Sequence, residues 1–547
     1  MVEKAATSQK KYNDFLSSYL DEKLYETAAN LNIALVEKFS VTDTYARKII
    51  SRAVDQEIIL SSHPYTFGKG QYLYLSLKAS LDIHIIMKAT KKNRPPIYRL
   101  LALLFRNEGI VSYYEALKIT ASPLEQGSTK MDSLNDIIHL LKKLELIIEK
   151  KDLNGVVYIL LKNEQSTDEA FQQISMNSHY SKMVLDCSIL PDIMRWLTRT
   201  NLIDNVSFLY RNKTSPQRGV KHNNLVWDAI AYTRTTGINS VLGVKATTLE
   251  KQTLVVLDVV LSDEYSQIHF DAFMSRIQVH RNSVKGTNRK IMPIIVYKNS
   301  SAMVLNIIRK NGILTYDVAT IFGKRIYEVI ESYHDLFKGI KVDTSVDQHI
   351  EKILSKIRDS GQEDALRELR GTLFEFLMYP VLSTIYPNSQ IDRGRKITRT
   401  DEKTGKKLTY EYDYIINSRN PNELVFVELK GYNAGATIPL GDSETKASLR
   451  WFFRKTLPIA VEENKQLLIN DKKYKALFIT SAQFWEDGHE FIKKLNKGKL
   501  KSMQLETGYE RSSLIELLRK YDFTNEIQVL EKFYSNPNDD TSDEDDT

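Results

Sequence analysis

Two strand-like runs constrain this chain most. Residues 407–418 read KLTYEYDYIINS and residues 423–431 read ELVFVELKG, and the SRNPNE segment between them is a turn. Runs joined so closely are expected to pair as a hairpin. In the second run Val425, Val427 and Leu429 share one face, while Phe426, Glu428 and Lys430 share the other, because side chains alternate along a strand. A strand this apolar must supply something to compensate Glu428 and Lys430, since an unpartnered buried charge is costly. The hairpin brings Asp413, in the middle of the first run, near Glu428. Two converging carboxylates make a hard oxygen site that suits Mg²⁺, with Mn²⁺ as a substitute. Lys430 beside them can hold an attacking water and steady a developing phosphate charge.

An acid-x-Lys triplet alone is a weak signal, and Asp21-Glu22-Lys23 and Asp401-Glu402-Lys403 are two others here. By themselves Glu428 and Lys430 read best as a salt bridge on a half-exposed strand. Upstream, EDALRELRGTLFEFLMYPVL (363–382) predicts a helix with Leu369, Leu373, Phe376 and Leu377 along its apolar side. Glu375 interrupts that side, five residues before Pro380. A helix carboxylate aimed at the same metal would complete the set, and Glu363, Asp364 or Glu368 would serve if the helix starts differently.

Taken in order, GTLFEFL, YEYDYII and VFVELKG resemble the PD-(D/E)xK nuclease superfamily, the restriction-endonuclease-like fold. The strand, small polar turn and helix expected in KYKALFITSAQFWEDGHEFIKKLN (473–496) are similar to a step in Mrr-type restriction endonucleases. The resemblance covers residues 361–520. It implies a mixed sheet flanked by helices that cuts phosphodiesters with Mg²⁺. Carried over position by position, Glu375 matches the helix acid, Asp413 the metal-binding Asp, Glu428 the second acid and Lys430 the lysine. The metal would be held by Asp413, Glu428 and the backbone carbonyl of Leu429. Tyr412 stands where the family often has Pro. Arg393 and Arg395 in IDRGRKITR, and Arg450 and Arg454 in SETKASLRWFFRKTLPIAVEEN, are candidate phosphate contacts.

The N-terminal half reads differently. DEKLYETAANLNIALVEKF is helical, and VTDTYARKIISRAVDQEIIL is a second helix with Thr42 or Asp43 as N-cap. Arg47, Lys48 and Arg52 lie opposite its apolar positions, and a hairpin turning at Gly68-Lys69-Gly70 follows. Helices followed by a small hairpin resemble a winged helix, whose second helix enters a DNA major groove. Residues 95–161 repeat the plan, with Ser128 or Thr129 as a helix cap and a hairpin at Asn154-Gly155. NLVWDAIAYT, KQTLVVLDVVLS and KIMPIIVYK then predict an α/β unit. In it Asp228 and Asp258 are placed like Asp413 and Glu428, but Val260 stands where a lysine is needed. The expectation is an α/β domain, with a degenerate nuclease-like unit and an unrelated α/β fold both left open.

The fold class expected is therefore multidomain: α-rich tandem winged-helix units, then α/β domains, the last a restriction-endonuclease-like mixed sheet flanked by helices. The divisions fall at 1–88, 89–165, 166–345 and 346–535, with the acidic NPNDDTSDEDDT tail (536–547) expected to be disordered. The net charge of +7 fits a nucleic-acid partner. The sole cysteine, Cys187, excludes a disulfide framework and a Cys-rich zinc site. No Walker-type loop, secretory h-region or membrane-length apolar run is present, so a cytoplasmic chain without a membrane partner is expected. The function expected is a Mg²⁺-dependent DNA endonuclease on double-stranded DNA, in restriction and phage defence or mobile-element processing. Its rivals are a non-catalytic DNA-binding regulator and an RNA-cleaving nuclease. One intact site per chain implies a homodimer or nicking, and a licensing partner subunit if the isolated chain is inert.

Overall fold

Short polar side chains start the N-terminal helices. In the computed structural model Thr27 accepts the N–H of Asn30, Thr42 that of Tyr45 and Asp82 that of Ile85. The structure describes residues 2–68, 70–125, 133–152, 155–162, 168–204, 208–233, 253–283, 290–339, 346–400, 407–433 and 435–534. The first unit comprises α1 (Val2–Lys23), β1 (Tyr25–Thr27), α2 (Ala28–Phe39), α3 (Asp43–Asp55), β2 (Leu60–Ser61) and β3 (Leu73–Leu75). A linking helix, α4 (Ile83–Asn93), follows. The second unit comprises α5 (Pro95–Arg106), β4 (Ile110–Ser112), α6 (Tyr113–Thr120), α7 (Leu134–Lys143), β5 (Ile147–Lys151) and β6 (Val157–Leu161).

The two units share one plan. Each runs helix, strand, helix, helix, hairpin, and in each the last strand pairs antiparallel with both others, in the orders β1-β3-β2 and β4-β6-β5. Ser112 and Glu115 form a capping box on α6, and Ser133 and Asp136 another on α7. The caps expected at Ser128 or Thr129 lie outside the described residues, as do Lys69, Asn154 and the acidic tail.

Asp168 caps the next helix with its carboxylate, and the polar stretch that follows forms α8 (Glu169–Ser188). α9 (Leu190–Arg199), β7 (Leu209–Tyr210), β8 (Val220–His222), β9 (Leu225–Trp227), β10 (Ala229–Thr233) and β11 (Thr253–Glu264) follow. Then come α10 (Gln267–Ser283), β12 (Ile291–Asn299), α11 (Ala302–Lys310), β13 (Leu314–Asp317), α12 (Val318–Phe322) and α13 (Ile326–Gly339). The sheet order is β7-β10-β11-β12-β13, with two antiparallel and then two parallel pairings.

The last part begins with α14 (Val346–Asp359), α15 (Arg367–Ile385), β14 (Gln390–Thr400), β15 (Lys407–Ser418), β16 (Glu423–Lys430) and β17 (Thr437–Ile438). A π-helical turn, Trp451–Thr456, runs into α16 (Leu457–Glu463). β18 (Lys473–Thr480), β19 (Gln483–Phe484), α17 (Glu486–Asn496), β20 (Gly508–Tyr509), α18 (Arg511–Lys520) and α19 (Thr524–Phe533) complete it. Its main sheet, β14-β15-β16-β18-β20, has the same run of directions as the middle one: two antiparallel pairings, then two parallel.

The hydrophobic core does not part at residue 345. Val255, Leu257 and Val259 of the middle sheet, Ile330 and Tyr333 of α13, Leu373 and Leu377 of α15, and Val425 and Val427 of β16 belong to one buried cluster. The two α/β parts are thus packed through shared helices. The outer faces have separate cores, around Phe426, Phe452 and Phe478 in the last part and around Trp227, Phe273 and Ile295 in the middle. No helix among the described residues is long and apolar enough to cross a membrane.

Candidate active site

Alternation along β16 holds as the sequence predicts. Val425, Val427 and Leu429 enter the shared core, and Leu424 and Phe426 enter the outer one. β15 behaves differently. Tyr410 and Tyr412 pack in the outer core, whereas Tyr414 and Ile416 pack in the shared core, so the strand exchanges faces around Asp413. Its ladder with β16 begins at Tyr414↔Val427, leaving Asp413 next to an unladdered stretch. There the Asp413 carboxylate accepts the Leu429 N–H at 2.6 Å. Asp413 therefore sits against the Glu428-Leu429-Lys430 triplet, and Lys430 Nζ lies 2.5 Å from Glu428 Oε1. Parallel pairing to β18 fixes the end of the strand, where the Lys430 carbonyl accepts bonds from Ser481 N and Thr480 Oγ1.

Glu375 approaches on α15. The helix has no cap of its own; Asp192 of α9 accepts the N–H groups of Glu368 and Leu369 at its N-terminus. Gly431 lets α15 come close, because a Cβ there would lie 2.4 Å from the Cβ of Phe374. Tyr414 Oη donates to the Glu375 carbonyl and ties the helix to β15. The Glu375 carboxylate is engaged by a residue that sequence reasoning missed. Lys213, in the loop after β7, places Nζ 3.0 Å from both Glu375 oxygens and 2.6 Å from Thr372 Oγ1. The same loop grips the last part again through Asn212 and Thr214, both bonded to Glu411.

Three acids and two lysines make the site electrostatically tense. Burial pushes the Glu428 carboxyl up to about 7, with Asp413 adding to the rise and Lys430 opposing it. Burial likewise lifts Glu375 to about 7, Lys213 opposing and Asp413 adding. Burial works against the Lys430 ammonium, but Glu428 and Asp413 outweigh it and raise it above the ordinary lysine range. Three carboxyl groups face two ammonium groups, so a further cation would favour the ionised forms of Glu375 and Glu428.

Among the described residues no group of three or more carboxylate, imidazole or thiol side chains is arranged to hold a metal ion. Glu375 faces Lys213 and does not complete a three-acid cage. Asp413, Glu428 and the Leu429 carbonyl would offer a metal an all-oxygen set. That suits Mg²⁺, which keeps several waters and needs only one or two carboxylates besides phosphate oxygens.

A groove of about 730 Å³ opens on Glu375 and Asp413 between the middle and last parts. Lys213 and Arg218 line one wall, and Arg393, Arg395 and Lys396 of β14 the other. The Arg393 guanidinium lies 3.6 Å from the centroid of the Tyr379 ring, a stacked arrangement that leaves its edge for hydrogen bonding.

No family model and no curated protein matches the chain. Among solved structures, the crystal structure of protein VC1899 from Vibrio cholerae aligns with 48% of this chain and 81% of that one, at 13% identity and a TM-score of 0.20. Agreement that low carries no inference about fold or function.

The structure brings Asp413, Glu428, Leu429, Lys430 and Glu375 together and sets Arg393 and Arg395 beside them. Arg450 and Arg454 are not on the groove: Arg450 donates to the Gly441 carbonyl and Arg454 lies over the Phe491 ring. Arg47, Lys48 and Arg52 share one exposed face of α3, behind which Ala46, Ile49, Ile50 and Ala53 are buried. Lys213 and Arg218 carried no sequence signal beyond charge in a polar loop.

Proposed function

We propose that this chain is a metal-dependent DNA endonuclease of the PD-(D/E)xK type, with its cutting site at the end of β16. One observation carries the reading: Asp413 is locked to the Leu429 amide beside the Glu428–Lys430 pair. Acid, acid and lysine thus meet on a mixed sheet, and Asp413 itself lines a groove that also carries Lys213, Arg218, Arg393, Arg395 and Lys396. Lys430 presents an ammonium to a water and to the charge that develops as that water attacks phosphorus. Lys213, Arg393 and Arg395 hold phosphate oxygens along the groove. A Mg²⁺ ion held by Asp413, Glu428 and the Leu429 carbonyl would supply Lewis-acid polarisation of the phosphate and a more acidic water. The two N-terminal units have the order of a winged helix, and the Arg47, Lys48 and Arg52 face of α3 is the one that would meet a duplex.

The test is supercoiled plasmid incubated with wild type and with Lys430→Ala, in Mg²⁺ or EDTA. Nicking or linearisation by wild type in Mg²⁺ alone, lost in the variant, is the expected result. No cutting of plasmid by wild type, with RNA cleaved under the same conditions, would turn the reading to a ribonuclease. DNA binding without cleavage of either would turn it to a regulator.

A further inference from the structure

The middle sheet repeats more than the directions of the last one. β10 and β11 begin their ladder at Ala229↔Leu257, as β15 and β16 do at Tyr414↔Val427. The residues just before, Asp228 and Asp413, therefore correspond, and so do the residues just after, Asp258 and Glu428. The side-chain bond that fixes Asp413 also recurs: the Asp228 carboxylate accepts the Val259 N–H at 2.8 Å, as Asp413 accepts that of Leu429. A helix upstream of each sheet packs across its central strand, α8 on β11, with α9 between it and β7, and α15 on β16. The triplets then diverge, because Val260 stands where Lys430 stands.

The missing positive charge comes from elsewhere. Lys118 of α6, in the second N-terminal unit, reaches in with its ammonium bonded to Asp228, 3.1 Å from Asp258 Oδ1 and 3.2 Å from the Val259 carbonyl. Those groups correspond to Asp413, Glu428 and the Leu429 carbonyl, the oxygens assigned as metal ligands in the last part. Around them Arg211 and Tyr114 bond Asp228, and Arg276 and Tyr265 bond Asp258. Asp228 and Asp258 are 1% and 0% exposed, whereas the Glu428 and Lys430 side chains keep 14% and 20%. A neighbouring cavity of about 40 Å³ has room for water but none for a nucleotide.

We infer that the middle part is a second, silent copy of the nuclease-like unit, in which the Lys118 ammonium holds the place of the metal ion. The inference rests on reading Asp413, Glu428 and Leu429 as a metal cradle. The silent site is a socket that docks the second N-terminal unit on the middle sheet. It also sets the active site, since Arg211 is anchored on Asp228 two residues from Lys213, which grips Glu375. Each chain therefore carries one cutting site.

The experiment counts Mn²⁺ ions bound per full-length chain by electron paramagnetic resonance, with thermal melting in parallel. Asp413→Asn/Glu428→Gln should bind no Mn²⁺ tightly; if it keeps the wild-type count, the reading of the C-terminal cradle fails, and the Lys118 variants still judge the middle site. On that background Lys118→Ala should lower the melting temperature, gain one Mn²⁺ per chain and regain stability with it. Adding Asp258→Asn should remove both gains. A folded Lys118→Ala chain that takes up no Mn²⁺ at millimolar concentration overturns the inference. Should Lys118→Ala not fold, the charge-neutral Lys118→Met/Asp228→Asn pair in the otherwise wild-type chain decides. An unchanged Mn²⁺ count supports the ammonium as the resident cation, and the loss of one ion overturns it.

Discussion

Replacing Lys430 by Met removes the ammonium 2.5 Å from Glu428 but keeps most of the stem, so chemistry and packing can be separated. The stability effect should be modest. Breaking a sealed ion pair costs roughly 3–5 kcal/mol. Here the two side chains retain 20% and 14% of their exposure, so water can reach the stranded carboxylate. A loss of about 1–2 kcal/mol is expected after that discount. The catalytic effect should be larger. A charge aimed at a developing anion is worth about 3–4 kcal/mol, or roughly 100- to 1000-fold in rate. Single-turnover nicking of supercoiled plasmid at saturating protein and Mg²⁺ reads the rate, and a thermal melt reads the stability. Cleavage indistinguishable from wild type, alongside a lowered melting temperature, would refute the assignment. Lys430 would then be a structural partner of Glu428 and nothing more.

Replacing Arg47, Lys48 and Arg52 together by Ala should weaken duplex binding and flatten its salt dependence. Three phosphate contacts are worth about 2.7 in the slope of log K against log salt. Fluorescence anisotropy across a KCl series measures this, and an unchanged slope would mean that α3 does not meet DNA. Gly431→Ala should destabilise the chain by about 1–3 kcal/mol, because its Cβ would sit 2.4 Å from that of Phe374 and push α15 off β16. A melt indistinguishable from wild type would show that the helix does not approach so closely. Burial pushes the Glu115 carboxyl up, but His179 and Ser112 outweigh it and hold it at about 2, below its ordinary 4.5. A carboxyl depressed on folding adds stability above the unfolded value and loses it as pH falls toward the folded one. Glu115→Gln should therefore melt below wild type at neutral pH, by about 3 kcal/mol, with the gap closing between about pH 4.5 and 2. A gap that stays constant down to pH 2 would rule out the Glu115–His179 pair as its source.

The legible part of the site was the part held together locally. Glu428 and Lys430 could be assigned to one face because strands alternate, and Asp413 followed from a turn that closes a hairpin. The face exchange of β15 was not legible, since Tyr410, Tyr412, Tyr414 and Ile416 have the spacing of one continuous face. Only the tertiary split between two cores separates them. That Arg450 and Arg454 lie off the groove was not legible for a related reason. Cations on an amphipathic segment announce a solvated side, but not which end of a sheet that side meets. The lysines that matter besides Lys430 come from far away in the chain, Lys213 from 162 residues before Glu375 and Lys118 from 110 residues before Asp228. No periodicity reaches that far, yet the sequence did contain the need for them. Asp228, between β9 and β10, and Asp258, in β11, lie in stretches too apolar for unpaired charge, and Val260 offers no cation. Lys118, in turn, sits in YYEALKIT among Tyr114, Ala116, Leu117 and Ile119, with Glu115 the one other charge, a mostly apolar setting for a lysine. A buried acid pair without its lysine and a buried lysine without its acid are complementary anomalies. Pairing them would have predicted the contact between the second N-terminal unit and the middle sheet.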